Sequence, residues 1–314
     1  MMNIALQISP LAQHAYFHQL VDVAQAELAL ISHQFKPELF EVAGLNWLCI
    51  ETEPHHLEAL SRLSWVQGIY EQVGDAMKPL DVSPNFALHG DFVQGIKYKG
   101  KTSEVLTQLL INVGLAYQSD QPLSTIKLLD PMCGRGTTLF WAMRYGIKAS
   151  GIDADSQAID DVQRNLKKLC KVHRQKHQLD IGFSGKKNKR GDGRYLTFST
   201  EGRSMRLLTG DARECSQLLN GERFDIIATD MPYGVQHAAN EKNVLLIQLL
   251  ESLLSDWLQC LKKDGVIVLS FNAKNPRKTA VIKIAEQLGF LVDDLGMAHR
   301  MSESIVRDVL VLKR

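Results

Sequence analysis

The stretch LLDPMCGRGTTL at residues 128–139 decides the fold. Ile126 to Leu129 read as a strand and Asp130 stands at its carboxyl end. Gly134 and Gly136 frame a tight turn, and the run from Thr137 opens a helix. In open α/β sheets ligands bind at the carboxyl ends of strands. Two glycines this close together let the backbone take positive φ and lie against a ligand. From here to the end the chain alternates. Strands are expected at 126–129, 149–152, 205–209, 224–229 and 266–271, and helices at 137–145, 156–170, 212–219, 244–261 and 277–288. Such alternation means a parallel sheet covered on both faces. Two strands at 290–297 and 305–312 then follow without a helix between them, which makes an antiparallel hairpin. The expected class is therefore α/β, with a mostly parallel seven-stranded sheet.

Upstream the pattern changes. A helix is expected from Ser103 to about Tyr117. Residues 79–97, rich in Pro and Gly, read as a linker with a strand at about Phe92–Tyr98. Residues 1–78 read as a small α+β unit. Strands are expected at 3–8, 39–42, 45–50 and 66–73, and helices at 14–32 and 55–63, the latter with Pro54 in its first turn. The order β-α-β-β-α-β is the ferredoxin-like arrangement, with Trp47 and Trp65 expected in its core. The large unit is taken as 98–314, interrupted at about 171–204 by an insertion. Arg164 to Arg194 holds eleven basic and two acidic residues, among them KKNKR at 186–190.

Composition narrows the classes. The chain has 314 residues, 45% hydrophobic and 23% charged, with Lys+Arg 36 against Asp+Glu 35. This excludes a disordered or collagenous chain and a globally basic nucleic-acid binder, though not a local basic patch. Five cysteines, at 49, 133, 170, 215 and 260, include no CxxC pair and argue for reduced thiols. Nothing at the N-terminus reads as a signal peptide, and no apolar run approaches the ~18 residues of a membrane span. A cytoplasmic protein is expected.

The loop at 130–137 differs from a dinucleotide site. Leu139 stands where the third glycine of G-x-G-x-x-G belongs. Asp130 also puts negative charge where a pyrophosphate would lie; it suits a cofactor carrying an ammonium and a sulfonium, as S-adenosylmethionine does. Asp153 ends the next strand in GIDAD, placed to bond a ribose diol, while Asp155 is expected to cap the following helix. Asp211, after the third strand in TGDA, can accept from an adenine amine, cap the next helix, or both. The loops complete the expected cofactor set with Met132, Cys133 and Thr137, with Ala154, and with Ala212.

The fourth strand ends in IIATDMPYG, residues 226–234. The lone pair of an exocyclic base amine is delocalised into the ring. Acceptors aimed at its hydrogens concentrate charge on nitrogen and hold the lone pair toward an incoming methyl. Asp230 and the Met231 carbonyl are the expected acceptors. Pro232 stiffens the turn, and Tyr233 stacks on the base for ~1–3 kcal/mol.

DPMCGRGT, GIDAD, GDA and DMPYG, in this order on these strands, resemble the amino-methyltransferase branch of Rossmann-like S-adenosylmethionine-dependent methyltransferases. They are most similar to the THUMP-associated tRNA guanine methyltransferases and the related large-subunit rRNA guanine methyltransferase domain. The resemblance covers about 98–314 and implies methyl transfer to the 2-amino group of guanosine in RNA, with tRNA favoured over rRNA. Residues 1–75 resemble the ferredoxin-like half that precedes the THUMP fold, for which 76–100 is too short. Asp230-Met231 departs from the commoner Asn/Asp-Pro-Pro-Tyr form, as part of the tRNA branch does. One carboxylate can accept from both the ring NH and the amine of guanine, whereas adenine's acceptor-donor edge suits an Asn amide better.

Phosphate contacts are expected from Lys186, Lys187, Lys189 and Arg190 in the insertion and from Lys274, Arg277 and Lys278 after the fifth strand. His173 and His177 have a spacing a metal could use, but no third ligand is evident in the sequence and no metal is expected. The rival readings are an adenine 6-amino methyltransferase on DNA or RNA, a protein-glutamine methyltransferase, and a non-catalytic RNA-binding protein.

Overall fold

A computed structural model of the chain describes residues 1–95, 101–118, 121–183, 193–231, 241–300 and 305–314, with the backbone alone at 241–245. The first sheet is formed by β1 (Met2–Ile8), β2 (Glu38–Val42), β3 (Leu45–Thr52), β4 (Val66–Val73) and β5 (Ala76–Pro79). Its order is β2-β3-β1-β4-β5, antiparallel throughout. The first four strands thus have the ferredoxin-like order. β5 was not expected; it carries the sheet to Pro79, across the boundary drawn at residue 78. The single helix expected at 14–32 is two, Pro10–Tyr16 and Leu20–Ala29. Phe17 at φ 46° leaves the helical region and its N–H closes back on the Gln13 carbonyl.

The second sheet contains β6 (Lys127–Asp130), β7 (Lys148–Asp153), β8 (Gln178–Phe183), β9 (Arg194–Thr200), β10 (Arg203–Thr209), β11 (Phe224–Asp230), β12 (Leu261–Asn272), β13 (Leu291–Asp294), β14 (His299–Arg300) and β15 (Val306–Lys313). The order is β13-β15-β12-β11-β6-β7-β10-β9-β8, with β14 paired to β15. Strands β10, β7, β6, β11 and β12 are mutually parallel, and β15 and β13 form the expected antiparallel end.

Seven strands were expected and ten are present among the described residues. The flanks of the expected insertion supply β8 and β9, an antiparallel pair added beyond β10. Leu196 and Phe198 of β9 are fully buried at alternate positions; this short period-2 signal is masked in the sequence by the basic residues around it.

Alternate residues of the parallel strands feed two apolar layers. Leu128, Ile226, Ala228, Val266 and Val268 enter one, and Leu129, Ile227, Ile267 and Leu269 the other. The first layer runs on into the small sheet through Ile4, Leu6 and Trp65. The helix Glu104–Ala116, capped by the Ser103 hydroxyl, bridges the two sheets. Its Asn112 meets the buried Glu27 carboxylate at 2.6 Å, and its Gln108 donates to the Arg62 carbonyl at 2.9 Å.

The strand expected at Phe92–Tyr98 is absent over its described part. Asp91–Gln94 is a helical turn instead, and 96–98 lie outside the described residues. Phe92 and Val93 are adjacent and both buried, which a strand exposed on one face would not give.

Candidate active site

The parallel order brings the carboxyl ends of β12, β11, β6, β7 and β10 side by side. Asp130, Asp153 and Asp230 end their strands, and Asp211 follows β10 by two residues. Asp130 faces Gly151 in the register, Asp153 faces Thr209, and Asp230 faces Ser270.

The loop after β6 is built on carboxylates. Oδ1 of Asp130 accepts from the Met132 N–H at 3.0 Å and the Thr229 hydroxyl at 2.8 Å. Asp130 is 3% exposed. Burial pushes its carboxyl up to about 6, against bonds from Thr138, Met132 and Thr229 that pull it down and the Asp153 charge that raises it slightly. Oδ2 of Asp153 accepts from the Gly134 N–H at 2.8 Å, and Oδ1 from the Asp155 N–H at 2.9 Å. Asp155 in turn accepts from the Gln157 N–H at 2.9 Å, at the start of the next helix. Cys133 is buried, and burial raises its thiol well above the usual range. Its sulfur lies 2.6 Å from where a Cβ on Gly151 would stand.

Gly136 at φ 82° caps the helix Thr137–Tyr145 from the left-handed region. Gly134, at φ 53°, has only open space where a Cβ would point. The Gly134 N–H is held by Asp153, and Asp130 ends the strand that leads into the turn; these two carboxylates suit a cationic nucleoside cofactor. Thr137 is buried, Met132 and Ala212 half-buried, and Ala154 exposed. Asp211 caps the short turn Ala212–Glu214 through the Arg213 N–H at 2.8 Å, and its carboxylate is held below its usual range by the Arg213 side chain.

Asp230 carries partners that sequence reasoning missed. Oδ1 accepts from the Ser270 hydroxyl at 2.9 Å and is paired with the Arg307 guanidinium. Oδ2 accepts from the Thr102 hydroxyl at 3.0 Å. The available signals were a serine inside the apolar run VIVLSF and two adjacent charges, Arg307 and Asp308, in a strand that is otherwise apolar. Thr102 had none. Met231 is buried and its N–H donates to the Ser270 carbonyl. Pro232 and Tyr233 lie outside the described residues, as do Lys186, Lys187, Lys189 and Arg190.

Lys274 and Arg277 are exposed beyond the end of β12, near the edge that carries Asp230. The Lys278 ammonium sits between Asp294 at 2.6 Å and Asp308 at 2.8 Å. His173 is joined by His89 and Asp91, rather than by His177. Its Nε2 is 2.9 Å from the Asp91 carboxylate, and the two imidazoles stack at 4.0 Å. His89 Nδ1 accepts from the Asp91 N–H at 3.2 Å, so as arranged the three form a hydrogen-bonded strap. No described helix is long and apolar enough to cross a membrane.

A mostly parallel sheet with an antiparallel end is a Rossmann-like α/β layout, and carboxylates stand at its strand ends. The chain is similar to a protein named probable tRNA (guanine(10)-N2)-dimethyltransferase from Methanothermococcus thermolithotrophicus. They share 26% identity over 147 residues, 47% of this chain and 70% of that one. It is also similar to the tRNA (guanine(10)-N2)-dimethyltransferase of Pyrococcus abyssi, with 25% identity over 170 residues, 54% of this chain and 39% of the relative. Among solved structures, TrmN from Thermus thermophilus aligns at a TM-score of 0.46 with 16% identity, covering 89% of this chain and 60% of that one. No family model matches.

Proposed function

We propose that this chain methylates the exocyclic 2-amino group of guanosine in RNA, with tRNA the favoured substrate. The observation that carries the reading is Asp230. It is a carboxylate at the end of β11, next to β6 and the glycine loop, with Oδ1 held by the buried Ser270 and Arg307 and Oδ2 met by the Thr102 hydroxyl. The names of the two curated relatives support the same substrate class.

Bound at the loop after β6, S-adenosylmethionine supplies an electrophilic methyl on its sulfonium. Asp130 and the 132–137 turn hold its amino-acid end, Asp153 its ribose, and Asp211 with Ala212 its adenine. Asp230 and the Met231 carbonyl accept from the base, which turns the amine lone pair toward the methyl; in-line placement then supplies much of the rate. Tyr233 stacks on the base, which leaves its helix stack to reach the site. Lys274 and Arg277, with the basic residues at 186–190, meet phosphates on the way in.

Purified protein, labelled cofactor and unmodified tRNA, followed by digestion to nucleosides, test the reading. Label in methylated guanosine supports it; label in adenosine alone, or in protein, refutes it. Asp230→Ala is expected to abolish turnover while the cofactor still binds, and full turnover by that variant would remove Asp230 from the mechanism.

A further inference from the structure

Strand β15 carries two charged residues side by side in an apolar run, and both are buried, Arg307 at 4% and Asp308 at 2%. They point to opposite faces of the strand. Asp308 is neutralised by Lys278 at 2.8 Å, and Arg307 pairs with Asp230. Burial costs the guanidinium so much that its proton affinity is pulled down to about 9. A buried ion pair of this kind is rarely a net gain for the fold, since apolar residues of like volume do as well or better. The two oxygens of Asp230 also differ. Oδ1 is held from the core by Arg307 and by Ser270, which is fully buried. Oδ2 is met by Thr102, which comes from the segment leading into the Glu104–Ala116 helix.

Resting on the guanine-amine reading, we propose that Arg307 is a positioning residue for methyl transfer. With Ser270 it fixes Oδ1 of Asp230 and keeps the carboxylate charged, so that Oδ2, capped by the Thr102 hydroxyl in the free protein, receives the hydrogens of the base. A guanidinium paired with a carboxylate favours its ionised form and weakens it as a base. Asp230 is then an acceptor throughout. As the N–C bond forms and the C–S bond breaks, the proton lost from the amine goes to water rather than staying on Asp230.

The other charged groups around Asp230 are few among the described residues. Asp130 stands on the neighbouring β6. Lys101 pairs with Glu104 at 2.5 Å next to Thr102. His299 lies opposite Arg307 on β14, its Nδ1 at the Met297 carbonyl.

The test is a carbon-13 carboxyl titration of the free protein, with the Asp230 signal assigned by its loss in Asp230→Asn. The Asp230 midpoint should rise by about one pH unit or more in Arg307→Gln and by less in Arg307→Lys, which keeps the charge and guards against a folding defect. With tRNA, Arg307→Gln should lower kcat by about 100-fold, shift the acid limb of its pH profile upward, and leave the cofactor Kd within about threefold. An unmoved midpoint in both variants, or a wild-type kcat in Arg307→Gln, would overturn the proposal. Methylation of adenine in place of guanine would retire the substrate reading alone, because the titration decides the pairing without any substrate.

Discussion

Asp130→Asn should make the protein more stable and a poorer cofactor binder at once. The carboxyl is buried, and the fold raises it from 3.8 to about 6. At about 1.4 kcal/mol per pH unit, keeping it ionised near pH 7.5 costs the folded state about 3 kcal/mol. Asparagine keeps the shape and the oxygen that accepts from Met132 and Thr229 but carries no charge. For a chain of this size ~2 °C per kcal/mol is expected, so the variant should melt about 5 °C higher. A raised carboxyl contributes stability that is complete below 3.8 and is lost as pH rises through about 6. The gap between variant and wild type should therefore shrink to about half at pH 5. Loss of a charge-assisted hydrogen bond, worth ~1.5–3 kcal/mol, should weaken S-adenosylmethionine about 10- to 100-fold. Melting curves at pH 5 and 7.5, with titration calorimetry, measure both effects. A variant that melts below wild type at pH 7.5, or a gap that does not change with pH, would mean that the Asp130 charge does not destabilise the fold.

Glu27 obeys the same logic at the junction of the two sheets. Burial raises its carboxyl to about 7 despite bonds from Asn112 and Ser64, so stability should decline between about pH 4.5 and 7. Glu27→Gln should flatten that slope, as urea titrations across the range would reveal; an unchanged slope would place the pH dependence elsewhere. Gly151→Ala puts a methyl 2.6 Å from the Cys133 sulfur and 2.8 Å from Leu139, overpacking worth ~1–3 kcal/mol. Cofactor affinity should fall with stability, and Cys133→Ala in the same chain should restore part of each; independent, additive losses would contradict this packing.

Much of this architecture was legible because it is written locally. Strands β6, β7, β10, β11 and β12 are short apolar runs set between amphipathic helices, and the helix Gln157–Val172 buries Ala158, Ile159, Val162, Leu166 and Leu169 at helical spacing. Asp130, Asp153 and Asp230 could be placed because strand ends in a parallel sheet share one edge. What the chain hid depends on contacts distant in sequence. Arg307 lies 77 residues after Asp230 and Thr102 128 before it, and neither has a local pattern that points there. Phe92 takes a helical turn because it packs near Phe140 and His173. β8 and β9 were obscured by composition, since the lysines and arginines around them read as a basic insertion with phosphate contacts rather than as strands. His173 found its partners in His89 and Asp91, more than 80 residues upstream, where the four-residue spacing had suggested only His177.

On the proposed function, the carboxylate ending β11 directs a methyl group onto the 2-amino nitrogen of guanosine. Nucleoside mass spectrometry of tRNA and rRNA from cells lacking the chain tests it most directly. An N2-methylated guanosine should disappear from one RNA and return with the wild-type chain but not with Asp230→Ala. Loss of a methylated adenosine instead, or an unaltered nucleoside profile, would contradict it.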